Sequence, residues 1–447
     1  MTTIDIIGGG ILGLTTAYNL IKQGMHIRIW ERSHDLGGLM GRTSFPELNN
    51  LDVDRYYHAI LSSDHTLMAL IDELGLRPAL HSVTTKMGFY HDQKFYPMSG
   101  PLDFLRFPPL SMLDRARLGM TILGARRVKD WRELERTPVI DWLTRLGGRG
   151  TVEHIWKPLL RAKFDGSFDN VPATYIWSRL VRMSDTRGKT GAAEQMCFLS
   201  EGYSMLINAL AERIRAKGGE IHLGTTIQQL VIDHGEVQGL QLTEQCIPSR
   251  AVVITMQTPV ARRLLPTHVP ELAAHWEKLQ EYLGIVCMLL IMKRSLTPYY
   301  TLNITDERIP FTGIIETTNL IDRRFTNGYH LVYLPKYVVP SNPYAHMDDA
   351  TLTQTFFTYL GQMFPDFRED QVAALQIGRE RYVEPLHPLN MTDAIPSIES
   401  HIQGLYLVNS AQIYPQLTNG EAAIAYAQRA AQTIASSVQR IPSTLLG

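Results

Sequence analysis

The stretch "IDIIGGGILGLTTAYNLIKQGMHIRIWERSHDLGG" (4–38) restricts the fold of this chain more than any other. Two short β-type runs, Ile4–Ile7 and His26–Trp30, flank a helical pattern of Leu12, Leu14, Ala17, Leu20 and Ile21 that Gly24 closes. At the strand-to-helix turn, Gly8, Gly10 and Gly13 form G-x-G-x-x-G, with Ile11 and Leu12 opening the helix. The first glycine permits the tight turn and the second lets a pyrophosphate approach the backbone. The third lets helix and strand pack closely, and the helix N-terminus faces the phosphates. Glu31 ends the second strand, where a carboxylate takes both ribose hydroxyls of an adenosine and repels a 2′-phosphate; Arg32 follows it. Strand, turn, helix, second strand and acid occur in register, so the N-terminus predicts a dinucleotide-binding unit.

The next residues predict which dinucleotide. In "ERSHDLGGLMGR", Gly37 and Gly38 follow the acid, with Gly41 and Arg42 beyond them. This resembles the extended fingerprint of the FAD-binding glutathione-reductase-like superfamily (GR2-type), in which a second glycine pair passes close to the pyrophosphate and flavin. The resemblance implies FAD. It also implies that "LDVDRYYHAI" (51–60) reaches the isoalloxazine ring. Tyr56, Tyr57 and His58 are then candidates for the flavin–substrate boundary, against the alternative of packing with satisfied polar tips. By the same resemblance, "EIHLGTTIQQLVI" is the strand that offers backbone groups to adenine near Ile227. "RAVVITMQTPVARRLL" is the strand that returns the chain to the cofactor domain near Thr258.

The closing stretch "GLYLVNSAQIYPQLTNGEAAIAYA" (404–427) runs from an apolar strand into a small-residue helix. In the superfamily this strand tip reaches the ribityl and pyrophosphate, and the helix N-terminus points at the flavin. That implies roles for Asn409, Ser410, Asn419 and Gly420, with Ala422 and Ala423 leaving the ring room. Where relatives commonly carry Gly followed by Asp or Glu, this chain has Asn409 and Ser410, so the contact is expected to be rearranged through Gln412 or Glu421.

The fold class expected is α/β: a discontinuous Rossmann-like FAD-binding domain (1–100, 192–260 and 397–447), a helical lid (101–191), and a mixed-sheet substrate-binding domain (261–396). The lid is helical and basic, with Arg106, Arg115, Arg117, Arg126, Arg127 and Lys129 along it. It reads either as a solvated face or as a peripheral contact with an anionic membrane surface. "DRYYHAILSSDHTLMALIDELGL", "WKPLLRAKF", "LNITDERIPFTGIIETTN" and "HLVYLPKYV" extend the resemblance over nearly the whole chain. They are similar to bacterial and archaeal FAD-dependent oxidoreductases of the amine oxidase, protoporphyrinogen oxidase and phytoene desaturase type.

That resemblance implies hydride transfer from a C–H bond of a small or hydrophobic substrate to the flavin N5, as oxidase, dehydrogenase or desaturase. Amine oxidases of this fold usually keep a lysine near N5, on the strand matching "YLGIVCMLL". Here Leu283–Leu290 is apolar and Lys293 falls at its far end. Tyr57, His58 and Glu316 are the catalytic candidates, Glu316 because an acid in the apolar run "GIIETTN" is a prospective general base or substrate anchor. A redox-neutral enzyme similar to UDP-galactopyranose mutase is the alternative, with Arg161, Arg179 and Arg182 as diphosphate ligands. A non-catalytic flavin-binding partner protein is the third.

Composition narrows the rest. A net charge of −1 over 447 residues gives no pull toward nucleic acid, and 45% hydrophobic residues supply a large core. Cys197, Cys246 and Cys287 are too dispersed for a zinc site or redox pair, so no metal is expected. Without eighteen uninterrupted apolar residues or a leader pattern, a cytoplasmic protein is the expectation.

Overall fold

A computed structural model of the chain describes residues 3–99, 103, 106–185 and 195–440. The expected start of the lid at 101 and the segment 186–194, where lid and cofactor domain were expected to meet, fall outside the described residues. Five parallel strands form the first sheet, in the order Glu220–His222, His26–Trp30, Thr3–Ile7, Val252–Ile254 and Leu405–Leu407. Ile4, Ile6, Ile27, Ile29 and Val253 point to one face. There they pack against the helices Ile11–Lys22, Ser204–Ala216 and Gly420–Val438. Ile7, Trp30, Val252, Ile254 and Leu407 point to the other, under the three-stranded antiparallel sheet of 229–248. Both faces are covered, as a parallel sheet requires.

The run "EIHLGTTIQQLVI" is not one strand. It divides into Glu220–His222 and Gln229–Asp233. Gly224 adopts a left-handed backbone (φ +63°), and the N–H groups of Gly224 and Thr225 donate to the carbonyls of Ser33 and Glu31 at 2.9 Å each. This detour swings Thr225–Ile227 toward the end of the strand that carries Glu31.

The second sheet has seven strands: Val372–Pro385, Tyr282–Met292, His330–Val338, Gly313–Glu316, Thr301–Ile304, Met87–His91 and Lys94–Pro97. It is mixed, since Thr301–Ile304 pairs parallel with Met87–His91 and the other pairings are antiparallel. The hairpin 87–97, which sequence places with the cofactor domain, is hydrogen-bonded into this substrate-side sheet. Tyr282–Met292 is buried along its whole length. Val286, Met288, Leu290 and Met292 face the helix Asp349–Met363. Ile285, Cys287, Leu289 and Ile291 face the apolar cluster around Tyr56. Period-two alternation thus divides this Met/Leu-rich strand between two cores, and only Ile285 of it reaches the central cavity.

The cap over that cavity is helical: Met112–Ala125, Arg132–Glu135, Val139–Thr151, Lys157–Phe164 and Thr174–Asp185. Trp142, Leu143, Ile155, Leu160, Phe164 and Ile176 form its core. A single π-turn, Val152–Trp156, joins the third and fourth helices.

Candidate functional site

One cavity of about 1350 Å³ runs from the Gly8 turn, between the two sheets, to the helical cap. At one end the three N-terminal glycines do separate jobs. Gly8 has φ +114°, and a Cβ there would lie 2.4 Å from Thr255 Oγ1. A Cβ on Gly13 would lie 2.0 Å from the Gly8 carbonyl oxygen, so this glycine lets helix and strand pack and does not line the cavity. A Cβ on Gly10 would meet nothing nearer than 3.9 Å, leaving the cavity side of the turn open. Gly10 caps its helix without any side-chain bond, so the first-turn N–H groups by Ile11 and Leu12 remain available to a phosphate.

Glu31 lines this end and is held rigidly: Oε2 accepts from the Gly9 N–H at 2.7 Å and Oε1 from the Ser33 N–H at 2.8 Å. Arg32 and Ile227 also line the cavity. The second glycine pair locks onto the first, since the Gly37 N–H donates to the Gly9 carbonyl at 2.9 Å and Gly37 bridges Gly10. Gly37 and Gly38 border the cavity, while Gly41 lies behind them and accepts from the Arg55 N–H. Arg42 is not at the site. It is exposed and pairs with Asp52 at 2.6 Å, because the alternation of Arg42–Phe45 points it away from the cavity.

The C-terminal half corrects five expectations. Asn409 is fully buried and does not reach the cavity. Its Nδ2 donates to the Met256 carbonyl at 3.2 Å and Thr258 Oγ1 at 3.1 Å, and its Oδ1 accepts from the Ala411 N–H at 3.1 Å. Gln412 accepts from the Asn409 N–H and donates to the Pro396 and Ser397 carbonyls. Asn409, Gln412 and Thr258 are therefore an internal lock that sets the strand tip, and a neutral amide suits a dry position with carbonyl acceptors. Glu421 is likewise turned away, accepting from the N–H groups of Thr66 and Leu67 at the start of the helix His65–Glu73. Ser410, Asn419 and Gly420 do line the cavity; Ala422 sits in the core behind Ala423, which lines it instead. Asn419 caps the final helix by accepting from the Ala422 N–H at 3.1 Å.

At the middle of the cavity stand Tyr56, Tyr57 and His58. His58 Nδ1 is 2.9 Å from the Tyr56 carbonyl, which can only accept, so Nδ1 carries the proton and Nε2 the lone pair. Burial pushes the imidazole pKa down to about 4, leaving it neutral near pH 7. Asp54, which sequence reasoning passed over, lies beside it in a side pocket of about 40 Å³. Burial lifts its carboxyl to about 7, against the Tyr203 N–H that bonds it at 3.0 Å. Tyr203 edge-stacks on His58, and its buried hydroxyl has no hydrogen-bond partner among the described residues. That hydroxyl would sit 3.0 Å from a Cβ on Gly420.

Glu316 does not join them. In Gly313–Glu316 the residues Gly313 and Ile315 face the cavity, and Glu316, one position on, faces the opposite side. It is fully buried; Oε2 accepts from the N–H groups of Leu296 and Thr297, and Oε1 lies 3.3 Å from His330 Nδ1. Burial pushes its carboxyl up to about 7 and the His330 imidazole down, so both members of this pair are driven toward their neutral forms. Of the three arginines considered for a diphosphate, Arg161 pairs with Glu307 away from the cavity, while Arg179 and Arg182 both line it, Arg182 paired with Asp64. Cys197 and Cys287 are buried and Cys246 exposed, all unpaired. No metal-ligand cluster occurs among the described residues.

The profile of the flavin containing amine oxidoreductases matches residues 12–435. The chain belongs to that family. The elongated cavity fits FAD: the glycine turn with its unclaimed N–H groups and Glu31 lie at one end, and the start of the final helix, with Gly420 and Ala423, and the Tyr203 hydroxyl at the other. The chain is thus an FAD flavoprotein of this amine oxidoreductase family. It is 25% identical over 305 residues to the zeta-carotene desaturase of Zea mays, covering 61% of this chain and 52% of that protein. The chain therefore spans about half the length of the curated relatives it matches. Reduced UDP-galactopyranose mutase superposes with a TM-score of 0.73 at 14% identity, covering 100% of this chain and 98% of the mutase. Cyclohexylamine oxidase from Brevibacterium oxydans gives 0.68 at 15%, covering 98% of this chain and 100% of the oxidase. At such identities these structures share the fold.

Proposed function

We propose that the protein is an FAD-dependent dehydrogenase or desaturase acting on a largely apolar organic substrate held beneath the helical cap. The observation that carries this reading is the continuity of one cavity from the FAD turn to a cap wall of Leu118, Ile122, Ile155, Leu159, Leu160 and Ile176. FAD, when bound, supplies a hydride acceptor for a substrate C–H bond. The chain's own residues do the rest. The cap excludes water and orients the substrate by apolar contact. His58, held neutral with its Nε2 lone pair free, accepts a hydrogen bond or the proton released from the neighbouring carbon. The Tyr57 and Tyr337 hydroxyls, 3.3 Å apart, form a polar edge to the same space. The strand Tyr282–Met292 offers no lysine, which favours this reading over an amine oxidase that relies on one there.

Peripheral membrane contact belongs to the same proposal. On the helix Met112–Ala125, Met112, Leu113, Met120 and Leu123 are exposed, Leu123 by 61% while also lining the cavity. Exposed Arg127 and Lys129 follow. Apolar side chains beside basic ones suit an anionic bilayer surface, from which an apolar substrate would enter directly.

Anaerobic photoreduction of the yellow protein, followed by stopped-flow reoxidation with oxygen, tests the reaction class. Slow reoxidation, with flavin bleaching by an alkene-forming substrate, supports a dehydrogenase; rapid peroxide production refutes it. Sedimentation with anionic liposomes at low salt tests the membrane contact, and absence of binding there refutes it.

A further inference from the structure

Beyond the Tyr57–Tyr337 edge, the cap side of the cavity contains polar groups that the reaction above does not use. Lys163, near the end of the helix Lys157–Phe164, pairs with Glu384 of the strand Val372–Pro385. Its ammonium also sits 3.4 Å from the centroid of the Tyr337 ring. Tyr337 in turn contacts the Tyr57 hydroxyl, and Tyr175 stands beside the same pair. Trp156 closes the wall from the end of the π-turn: the residue is 7% exposed, and its Nε1–H is buried without a hydrogen-bond partner among the described residues. All six residues line the cavity.

A buried ammonium is tolerated only when paired, and Glu384 cancels the charge of Lys163. Burial pulls the lysine pKa down, but the Glu384 carboxylate and neighbouring phenols lift it further, so the ammonium stays charged. Two consequences follow for a ligand. The aromatic face that would attract a substrate cation is already occupied by the protein's own cation, so an incoming ammonium finds that ring face taken. The wall is also rich in donors: Trp156 only donates, and the ammonium has three N–H bonds to share. A purely hydrocarbon ligand would leave the Trp156 donor buried and unmet, at a free-energy cost.

We propose that Trp156, Lys163, Glu384 and the surrounding tyrosines form a head-group subsite for an uncharged oxygen acceptor, such as a ketone, enone or hydroxyl, on an otherwise apolar substrate. The proposal rests on the reading of this cavity as the substrate chamber of a flavin enzyme. It makes the substrate amphiphilic, with its oxygen at this polar wall and its apolar body against the apolar cap residues beside it.

Isothermal titration calorimetry of the holoprotein at pH 7.5 with 2-nonanone, nonylamine and nonane tests it, with FAD content read separately from the visible absorbance. The ketone is expected to bind about tenfold more tightly than the amine or the alkane. The double variant Lys163→Met/Glu384→Gln removes the ion pair without stranding either charge, and is expected to lose that preference. Trp156→Phe deletes one donor and leaves the pair intact, and is expected to weaken ketone binding severalfold by itself. Amine binding as tight as ketone binding, no ketone binding to the wild-type chain, or an unchanged ketone affinity in both variants overturns the subsite. Calorimetry reads binding whether or not flavin is present. A colourless protein that still prefers the ketone therefore refutes the flavin reading and leaves the subsite standing.

Discussion

Asn409→Asp places an acid at the buried strand tip, and the structure says that it should harm this chain. Asn409 donates two hydrogen bonds from Nδ2, to the Met256 carbonyl and to Thr258 Oγ1. A carboxylate cannot donate. The Thr258 hydroxyl can turn to donate toward it, but the Met256 carbonyl would face a second oxygen. Losing the Met256 bond costs about 1 kcal/mol, and leaving a carboxylate desolvated against a carbonyl adds about 2 kcal/mol, for a total of about 3 kcal/mol at neutral pH. The pH dependence separates the two contributions. The new carboxyl would ionise at an ordinary pH in the unfolded chain and at a raised pH in the folded one. Folding then favours its protonated form, and the penalty grows as pH rises. Asn409→Ala loses all three side-chain bonds, the one from the Ala411 N–H included, for about 3 kcal/mol without that slope. Urea unfolding followed by circular dichroism and by flavin release, at pH 5.5 and pH 8, measures both variants. An Asn409→Asp protein as stable as wild type at pH 8, or one holding FAD more tightly, would refute the internal lock and return position 409 to the cofactor.

Gly10→Ala and Gly13→Ala should separate by mechanism. Gly10→Ala is expected to fold and lose FAD occupancy, because its methyl enters open space on the phosphate side. Gly13→Ala is expected to lose folded yield itself, because the methyl overlaps the Gly8 carbonyl; the ratio of flavin to protein absorbance in the soluble fraction reads the difference. For Asp54, the folded pKa is raised to about 7, so its contribution is fully present at acid pH and is lost as pH rises through 7. The three-unit displacement sets a ceiling of about 4 kcal/mol, and melting curves of wild type and Asp54→Asn should diverge in slope between pH 5 and 8. Glu316→Gln is expected to keep turnover and melting temperature near wild type, since one amide oxygen serves both Leu296 and Thr297 N–H groups. Glu316→Ala is expected to lose about 2 kcal/mol with FAD content unchanged, which chemical denaturation checks.

The parts of this molecule that could be read in the sequence are those where chemistry is local. Gly8 to Glu31 form one strand–helix–strand unit, so spacing alone carries their geometry. Asn419 and Gly420 announce a helix start in the same way. Direction across a strand is harder to read: Ile315 and Glu316 are neighbours, and only the pairing of Gly313–Glu316 with its partners decides which faces the cavity. Arg42 and Glu421 failed for the same reason, each turned by its element toward Asp52 or toward the helix at Thr66. The head-group wall was out of reach altogether. Trp156, Lys163, Tyr337 and Glu384 come from the cap and from two strands of the second sheet, and no spacing in the chain joins them. The π-turn before Trp156 carries no sequence signature that sets it apart from an ordinary helix.

The central claim is that this cavity holds FAD. Heat release of the flavin from purified protein, followed by chromatographic identification and quantitation, tests it most directly. One FAD per chain is the predicted result. Release of FMN, or a colourless protein that takes up no FAD on reconstitution, would contradict it.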